Sequence, residues 1–195
     1  NGIKISDTPE AEASKLLKGQ AGTSLDISVL KIGENTPRTI HLNRETVQIN
    51  NVIYSGIIRP GVGYISLEEF NASATKELKA ALSKLKQAGM QKLILDLREN
   101  PGGLLTQAVD ICNLFLAKET KIVETRGKVE EWNKTYAALN STFDDQLPLV
   151  ILINHNSASA AEIVAGVMQD YDRAVLIGQK SYGKGLVQVT RDLPY

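Results

Sequence analysis

The stretch "PLVILINHNSASAAEIVAGVMQDYDRAVLIGQ", residues 148–179, reads as strand, helix, strand. "PLVILIN" is an apolar run of strand length. "SAAEIVAGVMQDY" carries its apolar residues at helical spacing, and "AVLIGQ" returns to strand character. A helical crossover of this length joins parallel neighbours, so the stretch announces a parallel α/β sheet.

The same rhythm extends toward the amino end. "VGYISLEEF" is a strand, and "ASATKELKAALSKLKQAG" an amphipathic helix with Leu78, Ala81, Leu82 and Leu85 on one face. "QKLILDLREN" follows as a strand whose Leu-Ile-Leu run suits burial on both faces. "LLTQAVDICNLFLA" is a second helix and "TKIVETRG" a strand. Beyond the quoted stretch, "GLVQVT" reads as one more strand. Two segments stand outside this pattern. Val47 to Gly61 reads as a mixed connection, and polar Val129 to Gln146, with the lone Trp132, as a surface excursion.

The first 46 residues form a different unit. "NGIKI" suggests a short strand. "SDTPEAEASKLLKG" offers Ser6, Asp7 or Thr8 as helix cap, Pro9 in the first turn and Gly19 as stop. "TSLDISVLKIG" and "PRTIHLNRETVQI" alternate as strands around a Gly-Glu-Asn turn. This α+β unit is too small to be comfortable as a domain by itself. Residue 1 is Asn, and both ends read as interior sequence, so a core truncated at its C-terminus is expected.

The chain has 195 residues, 43% of them hydrophobic, enough for a substantial core. Lys plus Arg and Asp plus Glu both number 22, so the net charge is zero. That argues against nucleic acid, whose phosphates call for a basic surplus. No apolar run is long enough to span a bilayer. The single Cys112 lies in an apolar helical pattern and has no internal disulfide partner. One cysteine and two histidines argue against a structural zinc site, which takes four such ligands.

Three elements carry candidate chemistry. Ser159 follows an apolar strand and opens a helix, where functional groups of parallel sheets gather. Ser159-Ala-Ala-Glu162 also fits a capping box, and on local pattern alone the cap is the stronger reading. The roles are compatible, because a helix amino end presents free N–H groups to a developing oxyanion. Ser157 is the rival nucleophile. A serine needs a base. His41 looks like an ordinary strand residue, and His155 sits too close in sequence to approach Ser159 easily. Lysine serves only when neutral, a form favoured by burial away from water. Lys184, between Gly183 and Gly185, has the neighbours for that, although an exposed turn is the plainer reading of Gly-Lys-Gly. "RENPGG" places Gly102 and Gly103 in an open strand-to-helix turn suited to an oxyanion, or merely to turning.

The set "LILDLRENPGGLL", "NSASAAEIVAG" and "AVLIGQKSYGKGLVQ", in this order and at these gaps, resembles the C-terminal processing peptidases, or tail-specific proteases. The resemblance runs from about Val47 to the end. It implies a ClpP/crotonase-like core with a mostly parallel sheet over residues 47–195. Residues 1–46 would be the second half of a PDZ domain. It also implies a serine endopeptidase with Ser159 as nucleophile, Lys184 as base and Gln188 orienting the lysine. The N–H of Ala160 and of Gly102 or Gly103 would form the oxyanion hole. Ala161 departs from the many members that carry a second serine there. Implied partners are protein or peptide substrates with free C-terminal tails, with a second copy of the chain as a further candidate, and no metal or cofactor is implied. The implied compartment is extracytoplasmic, the bacterial periplasm or envelope. The alternatives are a non-catalytic PDZ-type peptide-binding protein and a crotonase-like acyl-CoA enzyme, for which no acidic pair or CoA phosphate site is evident.

Overall fold

A computed structural model describes residues 3–5, 8–47 and 50–188. They fall into two compact units, Asn1–Ile49 and Asn50–Tyr195. In the first, helix α1 (Glu10–Leu17) begins at Pro9, with Glu10 and Glu12 in the first turn and Lys15 in the last, matching its dipole. Pro9 itself takes the cap position; Ser6 and Asp7 lie outside the described residues. Ile3 to Ile5 form no strand. Strands β1 (Ser24–Val29) and β2 (Arg38–Asn43) pair antiparallel, setting Leu25 against Leu42 and Ile27 against Ile40. Arg44 staples helix to hairpin: its Nε donates to Leu17 O at 2.8 Å and its Nη1 to Thr23 Oγ1 at 3.0 Å. No described residue of this unit is buried.

The second unit holds the core. Its five-stranded sheet runs β3 (Val52–Arg59), β4 (Val62–Leu67), β5 (Lys92–Asp96), β8 (Leu149–Ile153), β9 (Val175–Gly178). All neighbours are parallel except the β3–β4 hairpin. Helices α2 (Ala74–Gln87), α3 (Leu105–Phe115) and α4 (Ala160–Asp170) complete the α/β crossovers. The register aligns Ile65, Leu95, Ile151 and Leu176 in one cross-strand row. The first three are fully buried with Leu78 and Leu82 of α2, Ile111 and Phe115 of α3, and Val164 and Met168 of α4. Cys112 lies in this core, where burial pushes its thiol pKa up, so it is packing rather than a nucleophile.

Four expectations for this second unit need correction. Val52–Arg59, taken as a mixed connection, is an edge strand. Tyr54, Ser55 and Gly56 break its alternation, and the register slips at both ends, so periodicity could not announce it. The polar excursion contains β7 (Lys134–Ala137), which pairs with β6 (Lys121–Thr125) outside the main sheet. Buried Asn113 of α3 anchors the chain beyond it, donating to Asn140 O and accepting from the N–H groups of Leu139 and Asn140. The Leu-Ile-Leu run of β5 is not buried on both faces, since Leu93 and Leu95 are enclosed while Ile94 is half-buried. "GLVQVT" forms no strand through Gln188, and its last two residues lie outside the described ones.

Candidate active site

In a parallel sheet the turns after β5, β8 and β9 leave from one edge, so "RENPGG", "NHNSAS" and "QKSYGKG" gather there by topology alone. Each is held by its own polar chemistry.

The turn after β5 is fixed residue by residue. Asp96 is buried and accepts from the Tyr64 hydroxyl at 2.5 Å, from Arg98 Nη2 at 2.6 Å and from the Arg98 N–H at 2.9 Å. Burial would raise its pKa, but the hydrogen bonds from Arg98 and Tyr64 prevail and hold the carboxyl below its usual range. Glu99 has φ 62 and grips the next loop, accepting from Asn154 and Asn156 side-chain amides at 2.5 Å each. Fully buried Asn100 ties three segments. Its Nδ2 donates to Leu67 O at 2.8 Å, its Oδ1 accepts the Gly102 N–H at 2.8 Å, and its carbonyl accepts the Ala158 N–H at 2.9 Å. Neither Glu99 nor Asn100 was singled out from sequence. The Asn-Pro turn signal within "RENPGG" was the available clue to Asn100.

Gly102 is buried against the serine. A Cβ there would lie 2.7 Å from Ala158 O and 2.8 Å from both Ala160 N and Ser159 Cβ, at φ +99. The two glycines differ in their amides. Gly102 spends its N–H on Asn100, whereas the Gly103 N–H, on an exposed residue, donates to no protein acceptor among the described residues.

After β8 the chain turns through Asn154–Ala158 into α4. Ser157 is fully buried and its hydroxyl is spent: it donates to Leu97 O at 2.7 Å and accepts the Asn154 N–H at 2.9 Å. We expect Ser157→Ala to keep the activity proposed below while lowering stability by about 1–3 kcal/mol, because buried partners lose their bonds. Urea unfolding alongside a peptide-cleavage assay measures both.

Ser159 is half-buried at the N-cap of α4 with φ 54 and ψ −114, a conformation foreign to L-residues outside special sites. Such strain costs on the order of 1–3 kcal/mol and persists only where the surroundings impose it. Here they do. Ala158 N–H is bound by Asn100, and Ser159 N–H donates to Glu162 Oε2 at 2.8 Å. The capping box with Glu162 is formed, so the plainer reading of this motif is correct as far as it goes. The Ala160 N–H, first in the helix, has no intrahelical partner.

The segment after β9 returns to the same place. Glu162 also accepts from Ser181 Oγ at 2.7 Å, Gly183 N–H at 2.6 Å and Lys184 N–H at 3.1 Å. Burial pushes its pKa up, but these donors and the Ser159 amide outweigh it and hold the carboxyl below the ordinary glutamate range. Lys184 is half-buried and Gln188 exposed. Both line an open cleft of about 820 Å³, with Glu99, Pro101, Asn156, Ala158, Tyr182, Gly183 and Leu186 completing its wall. The structure therefore brings the Ser159, Lys184 and Gly102–Gly103 segments together. It does not join the Ser159 hydroxyl to the Lys184 side-chain nitrogen by a hydrogen bond among the described residues. His155 meets Gln179 at 3.3 Å rather than Ser159, and His41 pairs with Asp26 in the first unit.

The chain is similar to known proteins in both sequence and fold. The sequence model of peptidase family S41 fits residues 61–195. A carboxyl-terminal-processing protease of Picosynechococcus is 37% identical over all of this chain and 47% of its own length. One of Synechocystis is 40% identical over 91% of this chain and 42% of its own. Among solved structures, a photosystem II D1 C-terminal processing protease superposes with a TM-score of 0.64 at 28% identity, covering 98% of this chain and 53% of that one. The chain thus spans about half the length of the relatives it matches.

Proposed function

Because the chain belongs to peptidase family S41, we propose that it carries the core of a serine endopeptidase that cuts near the C-termini of protein substrates. The observation that carries this reading is the strained Ser159, pinned at a helix amino end by the same carboxylate that holds the Lys184 loop. A structural cap needs neither the strain nor the loop.

In this reading Ser159 Oγ attacks the peptide carbonyl as a neutral Lys184 amine takes its proton, later passing it to the leaving amine. Gln188, which lines the same cleft, orients the amine. Of the two glycines in the turn, Gly103 has the uncommitted amide, so Gly103 and Ala160 are the oxyanion donors, with Gly102 giving the backbone room to come close. The contact between hydroxyl and amine forms when substrate fills the cleft, as catalytic hydrogen bonds often tighten only in the bound complex. The cleft is large enough for several residues of an extended tail.

The first unit, whose described residues form a helix and a hairpin and include no buried one, is read as the second half of a PDZ domain, a module for gripping tails. The setting is extracytoplasmic, in a bacterial periplasm or envelope, on the strength of the family resemblance. One observation favours a second reading: a peptide-binding protein without turnover would also lack the Ser159–Lys184 hydrogen bond. A tail-peptide assay on the full-length protein separates the two. Turnover by the wild type that disappears in Ser159→Ala supports the peptidase, and binding without turnover supports the alternative.

A further inference from the structure

A helix cap asks one thing of Glu162, a bond to the Ser159 N–H. Three of its four bonds do something else. Ser181 Oγ and the Gly183 N–H meet Oε1, while the Lys184 N–H joins the Ser159 N–H on Oε2. The segment from Lys180 to Gln188 pairs with no strand among the described residues. Among the described residues it is tied to the rest of the protein by these three bonds and by Tyr182 N–H to Ser157 O at 3.0 Å. Its placement therefore depends largely on one carboxylate.

We propose that Glu162 is a positioning residue for the reaction: it sets where Lys184 stands relative to Ser159 by binding the backbone of both. This rests on the peptidase reading and adds a role to a residue that capping alone would explain. A carboxylate is suited to the task because it only accepts, and charge-assisted bonds of this kind are roughly twice as strong as neutral ones. An amide in its place would turn an NH₂ group toward two of the four donors, whichever way it flips. Ser181 then has a defined part, since its hydroxyl binds the clamp without touching the helix cap.

The test uses the full-length protein with Glu162→Gln, Ser181→Ala and the pair combined. Cleavage of a tail peptide gives kcat and KM, and NMR gives amide hydrogen exchange at Gly183 and Lys184. Displacing a catalytic group by about 1 Å can cost roughly 10²-fold, so Glu162→Gln should lower kcat by about that factor with KM little changed. Ser181→Ala should lower kcat by about tenfold, the worth of one bond to a charged group. The double variant should be no worse than Glu162→Gln alone, because both break one clamp. Exchange at Gly183 and Lys184 should quicken in every variant. If Ser181→Ala leaves kcat and exchange at wild-type values, Glu162 is a cap and the proposal is overturned. Should Glu162→Gln fail to fold, Ser181→Ala decides alone. If the wild type cleaves nothing, the peptidase reading falls separately, and unchanged exchange would still dispose of the clamp.

Discussion

Lys184→Arg is expected to lose peptidase activity as completely as Lys184→Ala, by about 10⁴–10⁶-fold in kcat, the range seen when a nucleophile–base unit is broken. The two substitutions remove different things. Alanine removes the amine, while arginine keeps length, charge and hydrogen-bond donors but cannot give up its proton. A lysine that only attracted substrate carboxylates would be replaced well by arginine. One that accepts the serine proton would not. The Lys184 backbone N–H remains available to Glu162 in both variants, so the loop should stay in place. The Ser159→Ala, Lys184→Ala double variant should be little worse than either single one, because the groups act as a unit. Steady-state kinetics on a fluorescent tail peptide reads all of this, and appreciable turnover by Lys184→Arg would remove lysine from the role of base.

Gly102→Ala should be the second most damaging change, although it removes no functional group. Its methyl would stand 2.7 Å from Ala158 O and 2.8 Å from Ala160 N and Ser159 Cβ, none of which is the end of a flexible side chain. The residue also has φ +99, which L side chains rarely adopt. Either the Pro-Gly-Gly turn or the Ser159 turn must move, and Asn100 binds both, through the Gly102 N–H and the Ala158 N–H. Misplacing nucleophile and oxyanion donors together should cost about 10²–10³-fold in kcat, the scale of losing one oxyanion donor. A thermal melt beside the kinetics shows whether the variant is folded. A folded Gly102→Ala of wild-type activity would contradict the packing described for the site.

Much of this was legible in the sequence, for identifiable reasons. Helices α2, α3 and α4 and strands β4, β5 and β8 carry long apolar patterns whose period follows from burial, and all were read correctly. Edge strand β3 escaped because Tyr54, Ser55 and Gly56 break its alternation and its register slips at both ends, and β7 because four residues inside a polar stretch are too few to show a period. The run after Lys184 failed for the opposite reason. "GLVQ" has strand composition, but through Gln188 the described chain finds no ladder to join. At the site, Ser159, Lys184 and the glycine pair were singled out by residue type and by the order of three motifs. Asn100 and Glu99 were not, because their roles come from contacts between loops: Glu99 meets Asn154 and Asn156, and Asn100 reaches Leu67 and Gly102. Glu162 was read as half of a capping box, which is all that its immediate neighbours could disclose.

The proposed reaction requires a covalent bond to form at one hydroxyl. The most direct measurement is mass spectrometry of the full-length protein after reaction with a fluorophosphonate, a probe that marks activated serines. The predicted result is a single adduct on the peptide carrying Ser159, absent in Ser159→Ala and suppressed in Lys184→Arg. Labelling at a different residue, or equal labelling of Ser159 when Lys184 is arginine, would contradict it.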